Sequence, residues 1–154
     1  MIQRIQTLYL FIVVALMSLT LFLPVAYFTS DQGTTFTLNA FNISGVVGST
    51  WVLGVLLAIA ALLPLVTIFL FKNRKLQVGL VAAEGVLLVG AIIFIALFYW
   101  LIIPDAFTEA NMVVAKSSFG WAAFLPVVSL IPTYLAGRAI FKDEVLVRSL
   151  DRIR

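Results

Sequence analysis

WVLGVLLAIAALLPLVTIFLFKNRKLQVGLVAAEGVLLVGAIIFIALFYWLII, residues 51–103, is the stretch that decides the fold. Two apolar runs meet at Lys72-Asn73-Arg74-Lys75, a connection too short and too basic to be anything but a tight turn on one membrane face. The first run, residues 51–71, makes roughly 31 Å of helix, enough to cross a hydrocarbon layer of about 30 Å. The second, residues 76–103, exceeds that thickness, which predicts tilt or a projecting end. Pro104 is expected to end it, because proline removes an N–H and disfavours helix in the residue before it.

On the N-terminal side, no charged residue appears from Ile5 to Ser30. Residues 5–28, IQTLYLFIVVALMSLTLFLPVAYF, give roughly 36 Å of helix. Arg4 followed by an apolar stretch also describes a signal peptide. Here the stretch is too long and no small-x-small cleavage site follows, so a retained span is expected. On the C-terminal side, residues 119–141 form a fourth apolar run, with Pro126 and Pro132 predicting a kink. The expected fold is an all-α membrane protein: one domain over residues 1–154, a four-transmembrane-helix bundle with outer loops 29–50 and 104–118 and a tail at 142–154.

Composition agrees. The chain of 154 residues is 63% hydrophobic and 11% charged, with a mean hydropathy of +1.16. Soluble domains run nearer half apolar and a quarter charged. The net charge of +3 does not point to nucleic acid, because the basic residues sit at span ends rather than along a stripe. Neither cysteine nor histidine is present. Disulfides, thiol chemistry, histidine-ligated haem, the usual zinc sites and the commonest general base are therefore excluded. No enzyme activity, cofactor or metal is expected.

Orientation follows from the cations. Arg4, Lys72, Arg74, Lys75, Arg138, Lys142, Arg148, Arg152 and Arg154 fall on one side, and Lys116 alone on the other, so the first side is expected to be cytoplasmic and to hold both termini. Trp51, Trp100 and Trp121 all land at the opposite interface, where an amphipathic ring is favoured.

The first outer loop carries a turn signal at Asp31-Gln32-Gly33, followed by period-two alternation over residues 34–39. A short outer β-hairpin and a plain irregular loop are both compatible with it. The second outer loop is weakly patterned. In the tail, Leu146, Leu150 and Ile153 fall at helical spacing, with Glu144 and Arg148 four apart. This predicts a C-terminal amphipathic cytoplasmic helix that lies on the membrane or docks on a partner through Arg148, Arg152 and Arg154.

The opening MIQRIQTLYL and the closing KDEVLVRSLDRIR, around four spans, resemble a family of bacterial inner-membrane proteins typical of the Bacteroidetes, catalogued as domain of unknown function family 4293. The resemblance covers the whole chain. It implies the bacterial inner membrane and four helices, and no reaction, substrate or site residue.

Glu84 is the conspicuous residue, roughly 12 Å inside the third run. A carboxylate at the bilayer centre costs on the order of 2.5–3.5 kcal/mol by insertion scales, so it should face protein or water, or carry its proton. Depth arithmetic places Thr133 and Tyr134 at its level on the fourth helix and Leu63 to Thr67 on the second, with Arg138 one turn nearer the cytoplasm. The polar cluster Glu84, Arg138, Tyr134, Thr133 and Thr67 reads in two ways. One is an internal bond or ion pair that orients helices three and four. The other is a site for proton- or cation-coupled transport.

Gly79, Ala83 and Gly90 on the third helix, and Gly54, Ala58 and Ala61 on the second, form small-residue stripes suited to close helix packing. Ordinary intramolecular packing and a homo-oligomer interface would both use them. The carbonyls freed by Pro64, Pro126 and Pro132 call for hydroxyl partners such as Ser129 or Thr133. Beyond the lipid bilayer, the expected partner is a membrane protein, with this chain as a structural or accessory subunit. The alternative is a small ion-coupled transporter centred on Glu84.

Overall fold

A computed structural model describes residues 2–44, 50–71, 73–109 and 113–151. Lys72, Arg152 and Arg154, to which the sequence assigns roles, lie outside the described residues. The elements run α1 (Ile2–Phe22), β1 (Ala26–Ser30), β2 (Thr35–Leu38), β3 (Ile43–Ser44), α2 (Trp51–Phe69), α3 (Arg74–Leu97), α4 (Ile103–Glu109), β4 (Val114–Phe119) and α5 (Leu125–Asp151). A π turn, Phe98–Ile102, joins α3 to α4, and a 3₁₀ turn, Trp121–Phe124, leads into α5.

Among the described residues, four helices are long and apolar enough to cross a membrane. α1 lies against α2 and α5, and α3 lies against α2 and α5, so the order around the bundle is α1–α2–α3–α5. Each helix buries one stripe. On α3 it is Gln77, Val81, Glu84, Leu88, Ala91 and Ile95, alternating three and four apart. The outward faces are apolar as well: Phe11, Leu62, Val86, Ile93 and Ile131 are all exposed. A helix hydrophobic all round is built for surroundings without water.

Both expected ends of the first and third runs need correction. Residues 23–28 are not the top of the first helix. α1 stops at Phe22, two residues before Pro24, and β1 begins at Ala26. Conversely, helix does not stop at Pro104. The π turn lies just before it, with the Ile103 N–H bonded to the Phe98 carbonyl, and carries the helix on past Pro104 into α4. The tail corrects a third boundary. It is not a separate helix at the surface but the continuation of α5, a single helix of 27 residues or about 40 Å that runs through Pro132.

The hydroxyls do not serve the prolines. The carbonyl that Pro132 leaves free is that of Val128, four residues back, yet Ser129 donates to the Leu125 carbonyl (2.8 Å) and Thr133 to that of Ser129 (2.8 Å). Thr20 and Thr67 likewise donate four residues back, to Leu16 (3.0 Å) and Leu63 (2.8 Å). Each of these four hydroxyls thus satisfies itself within its own helix, as an apolar setting demands.

At the end opposite the α2–α3 turn sits an antiparallel sheet of order β3-β2-β1-β4. The hairpin flagged at Asp31–Gly33 is present: Gly33 takes a positive φ of 79°, and Phe28 pairs Phe36 across the strands. The fourth strand comes from the second outer loop, with Ala26 opposite Phe119. The sheet turns Ala26, Phe28, Phe36, Leu38 and Ile43 inward. Phe107 of α4 packs beneath them, edge-on to Phe36 with centroids 5.0 Å apart. The π turn lets Tyr99 stack on Phe119 (3.8 Å) and donate to Ser117 on β4 (3.0 Å). Trp51, Trp100 and Trp121 are all exposed at this end.

Candidate functional site

The interior contains two apolar clusters. The larger runs from the sheet down to Val13, Ala60 and Leu88. The smaller joins Leu10, Val81, Ala136 and Ile140 nearer the α2–α3 turn. Glu84 sits on α3 between Val81 of one cluster and Leu88 of the other. It is 1% exposed, and both carboxyl oxygens lack a hydrogen-bond partner among the described residues.

Helix register identifies what stands level with it. On α5, a Cβ added to Gly137 would lie 3.2 Å from Val81 Cγ1. One turn further up, Glu84 therefore comes level with Thr133 and Tyr134. On α2, Gln77 Nε2 donates to the Thr67 carbonyl (2.9 Å), and a Cβ on Gly90 would lie 3.9 Å from Leu56. Glu84 is about midway between Gln77 and Gly90, which puts it level with Ala61.

The expected polar cluster is thus not assembled. Thr67 is level with Gln77, roughly 10 Å nearer the turn than Glu84. The sequence estimate started the count at the ends of the apolar runs, whereas the antiparallel pairing begins further inside α2. Thr133 is buried, but its hydroxyl is committed to Ser129. Tyr134 and Arg138 are exposed and face the outside of the bundle. Neither bonds to Glu84. No ion pair orients helices α3 and α5 at this depth among the described residues.

The polar contacts that do tie helices together lie nearer the turn. Arg74 Nη1 contacts Asp143 Oδ2 at 3.1 Å and donates to the Asp143 carbonyl at 3.1 Å. Gln6, Thr7, Arg74, Gln77 and Asp143 line a crevice of about 20 Å³, room for about one water. These residues come from α1, α3 and α5, so the start of the first helix, the α2–α3 turn and the lower part of the last helix share one end of the bundle. Sequence reasoning missed this cluster. Arg74 and Asp143 are 69 residues apart, and only the register of α3 against α5 brings them together.

The small residues divide. Ala61 is buried, and Gly90 faces Leu56 across the α2–α3 contact. Gly79 and Ala83 point outward, and a Cβ at Gly79 would meet nothing within 4 Å. Ala58 is half-buried. Gly54 is packed against the loop before α2. A Cβ there would run into the Phe41 ring and the Ala40 carbonyl, in the loop that Thr50 also holds by donating to the carbonyls of Asn39 (3.1 Å) and Ala40 (3.2 Å). The glycine that lets α3 and α5 approach is Gly137, which sequence spacing did not single out. Arg148 falls on the last turns of α5.

Comparison with protein families assigns the chain. It belongs to the family described as Domain of unknown function (DUF4293), whose profile matches residues 2–153. No curated protein matches it.

Proposed function

We propose that this family member is an integral protein of the bacterial inner membrane, crossing it four times with both ends in the cytoplasm, and that it acts as a non-enzymatic accessory subunit of a membrane assembly. The observation that carries the reading is the single helix α5, about 40 Å long against a hydrocarbon layer of about 30 Å. Its lower part is clamped to the start of α3 through Arg74 and Asp143. The overhang beyond this clamp forms an arm that exposes Val145 and Leu146. An arm with apolar side chains is suited to docking. The sidedness is supported by Trp51, Trp100 and Trp121 at the sheet end and by Arg74, Lys75 and Lys142 at the other.

Purification in mild detergent, with residues 144–154 intact and deleted, tests the role. A partner that co-purifies with the intact chain and is lost with the deletion is expected. A chain that runs alone in both forms, with nothing cross-linked, removes the accessory reading. Sidedness is tested separately. The chain has no cysteine, so Lys116→Cys and Lys75→Cys each place one thiol, and an impermeant reagent outside the cytoplasmic membrane should label only the first.

A carrier is the second reading, favoured by one observation: a buried acid with no partner beside the Thr133 level. Unpartnered intramembrane acids mark ion pathways elsewhere. Proteoliposome flux compared between the natural chain and Glu84→Gln decides it, and equal behaviour removes the carrier.

A further inference from the structure

On the outer side of the α3–α5 contact runs an apolar groove of about 490 Å³, within the size range of small-molecule sites. It is lined by Val81, Ala82, Gly85, Leu130, Gly137 and Phe141. Gly85 leaves open space, since a Cβ there meets nothing within 4 Å. Tyr134 and Arg138 also line the groove. A second apolar cleft of about 390 Å³, lined by Phe141, Lys142, Val145 and Leu146, shares Phe141 with the first and continues toward the arm. Arg138 and Lys142 lie one turn apart on the same face of α5, and neither makes an ion pair among the described residues.

We infer that this groove is a site for an anionic phospholipid, with an acyl chain along Val81, Gly85 and Gly137 and the phosphate held by Arg138 and Lys142. The inference rests on the membrane reading above. Charge selects the occupant. Two unpaired cations at the end of an apolar groove near the basic face complement a phosphate at headgroup depth, and Arg138 can extend its apolar stem along the groove to reach it. A second copy docking α5 on α5 in the same orientation would instead bring Arg138 and Lys142 against their own counterparts, a like-charge contact.

The test uses the full chain in detergent, with phosphatidylglycerol and phosphatidylcholine of identical chains added and bound lipid counted by native mass spectrometry. Phosphatidylglycerol is expected to bind preferentially. Arg138→Gln and Lys142→Gln should each reduce that preference about five-fold, and the double variant should abolish it. Gly85→Leu, which fills the groove, should remove bound lipid of both kinds. The charge variants alter exposed side chains and keep the test decisive if Gly85→Leu fails to fold. Equal binding of the two lipids, or an undiminished preference in the double variant, overturns the proposal. So does a dimer in the natural chain that Gly85→Leu dissolves, which would make the groove an interface between copies. Release of the chain from membranes by alkaline carbonate would instead overturn the membrane reading itself.

Discussion

Arg74 Nη1 lies 3.1 Å from both the side-chain Oδ2 and the backbone carbonyl of Asp143, so one guanidinium nitrogen joins the first turn of α3 to α5 through two acceptors of the same residue. The two side chains are partly shielded, at 28% and 15% exposure. The contact is therefore less screened by solvent than a fully exposed ion pair.

Arg74→Gln loses the charge and the geometry together and should destabilise by about 1–2 kcal/mol. Asp143→Asn keeps the carbonyl acceptor and should cost less. Thermal unfolding in detergent reads the difference, and an Asp143→Asn loss as large as that of Arg74→Gln would show that the carbonyl contributes nothing.

Glu84 places two unpartnered oxygens in an apolar layer. Removing an unsatisfied polar group in favour of an apolar one of similar volume is neutral or favourable. Glu84→Met should leave stability unchanged or raise it by about 1–3 kcal/mol, measured as the unfolding midpoint. A clear destabilisation would mean that the carboxyl finds a partner in the folded protein.

Glycine substitutions should split by environment. Gly79→Ala places a methyl in open space on an exposed helical face and should stabilise by about 0.5–1 kcal/mol. At Gly120 a Cβ would run into the Pro24 carbonyl, which is backbone and cannot turn away, so Gly120→Ala should destabilise by about 1–3 kcal/mol. Unfolding midpoints of opposite sign are the expected pattern.

Gln77 Nε2 donates to the Thr67 carbonyl deep in the α2–α3 hairpin. Gln77→Leu removes that donor while keeping bulk, and should cost about 1 kcal/mol by the same measurement. An unchanged midpoint would mean that the apolar contacts above it set the register unaided.

At the sheet end, the Ser30 hydroxyl donates to the Asp31 carboxylate (2.7 Å) and holds its pKa below the ordinary value. A lowered folded-state pKa contributes stability above the unfolded value, lost as the pH falls through the folded one. Ser30→Ala should let Asp31 titrate at a higher pH, which an NMR titration of the carboxyl carbon reads directly. An unmoved titration would transfer the effect to the surrounding backbone N–H groups.

Long-range composition and short-range period carry different information in this chain. The four apolar runs were legible because length and charge exclusion survive any packing arrangement. The turn at Asp31–Gly33 was legible because only glycine takes that φ readily, although the strands around it were not settled against an irregular loop. β4 was not, since Ala115, Lys116, Ser117 and Ser118 are all exposed on an edge strand and leave no alternation to read. The surroundings of Glu84 were half legible. Depth arithmetic reached Thr133 on α5, but its error on α2 approached two helical turns at Thr67, because the start of pairing within a hairpin depends on side-chain packing. Arg74–Asp143 was invisible for the same reason.

Strand β1 takes one neighbour from residues 35–38 and the other from residues 114–119. In a chain made and inserted from its N-terminus, the first hairpin must therefore wait, with one edge unsatisfied, until nearly three-quarters of the polypeptide has emerged. Only then can the last strand latch it. A chain truncated before residue 114 would therefore keep one edge of β1 open, a template for pairing with another chain.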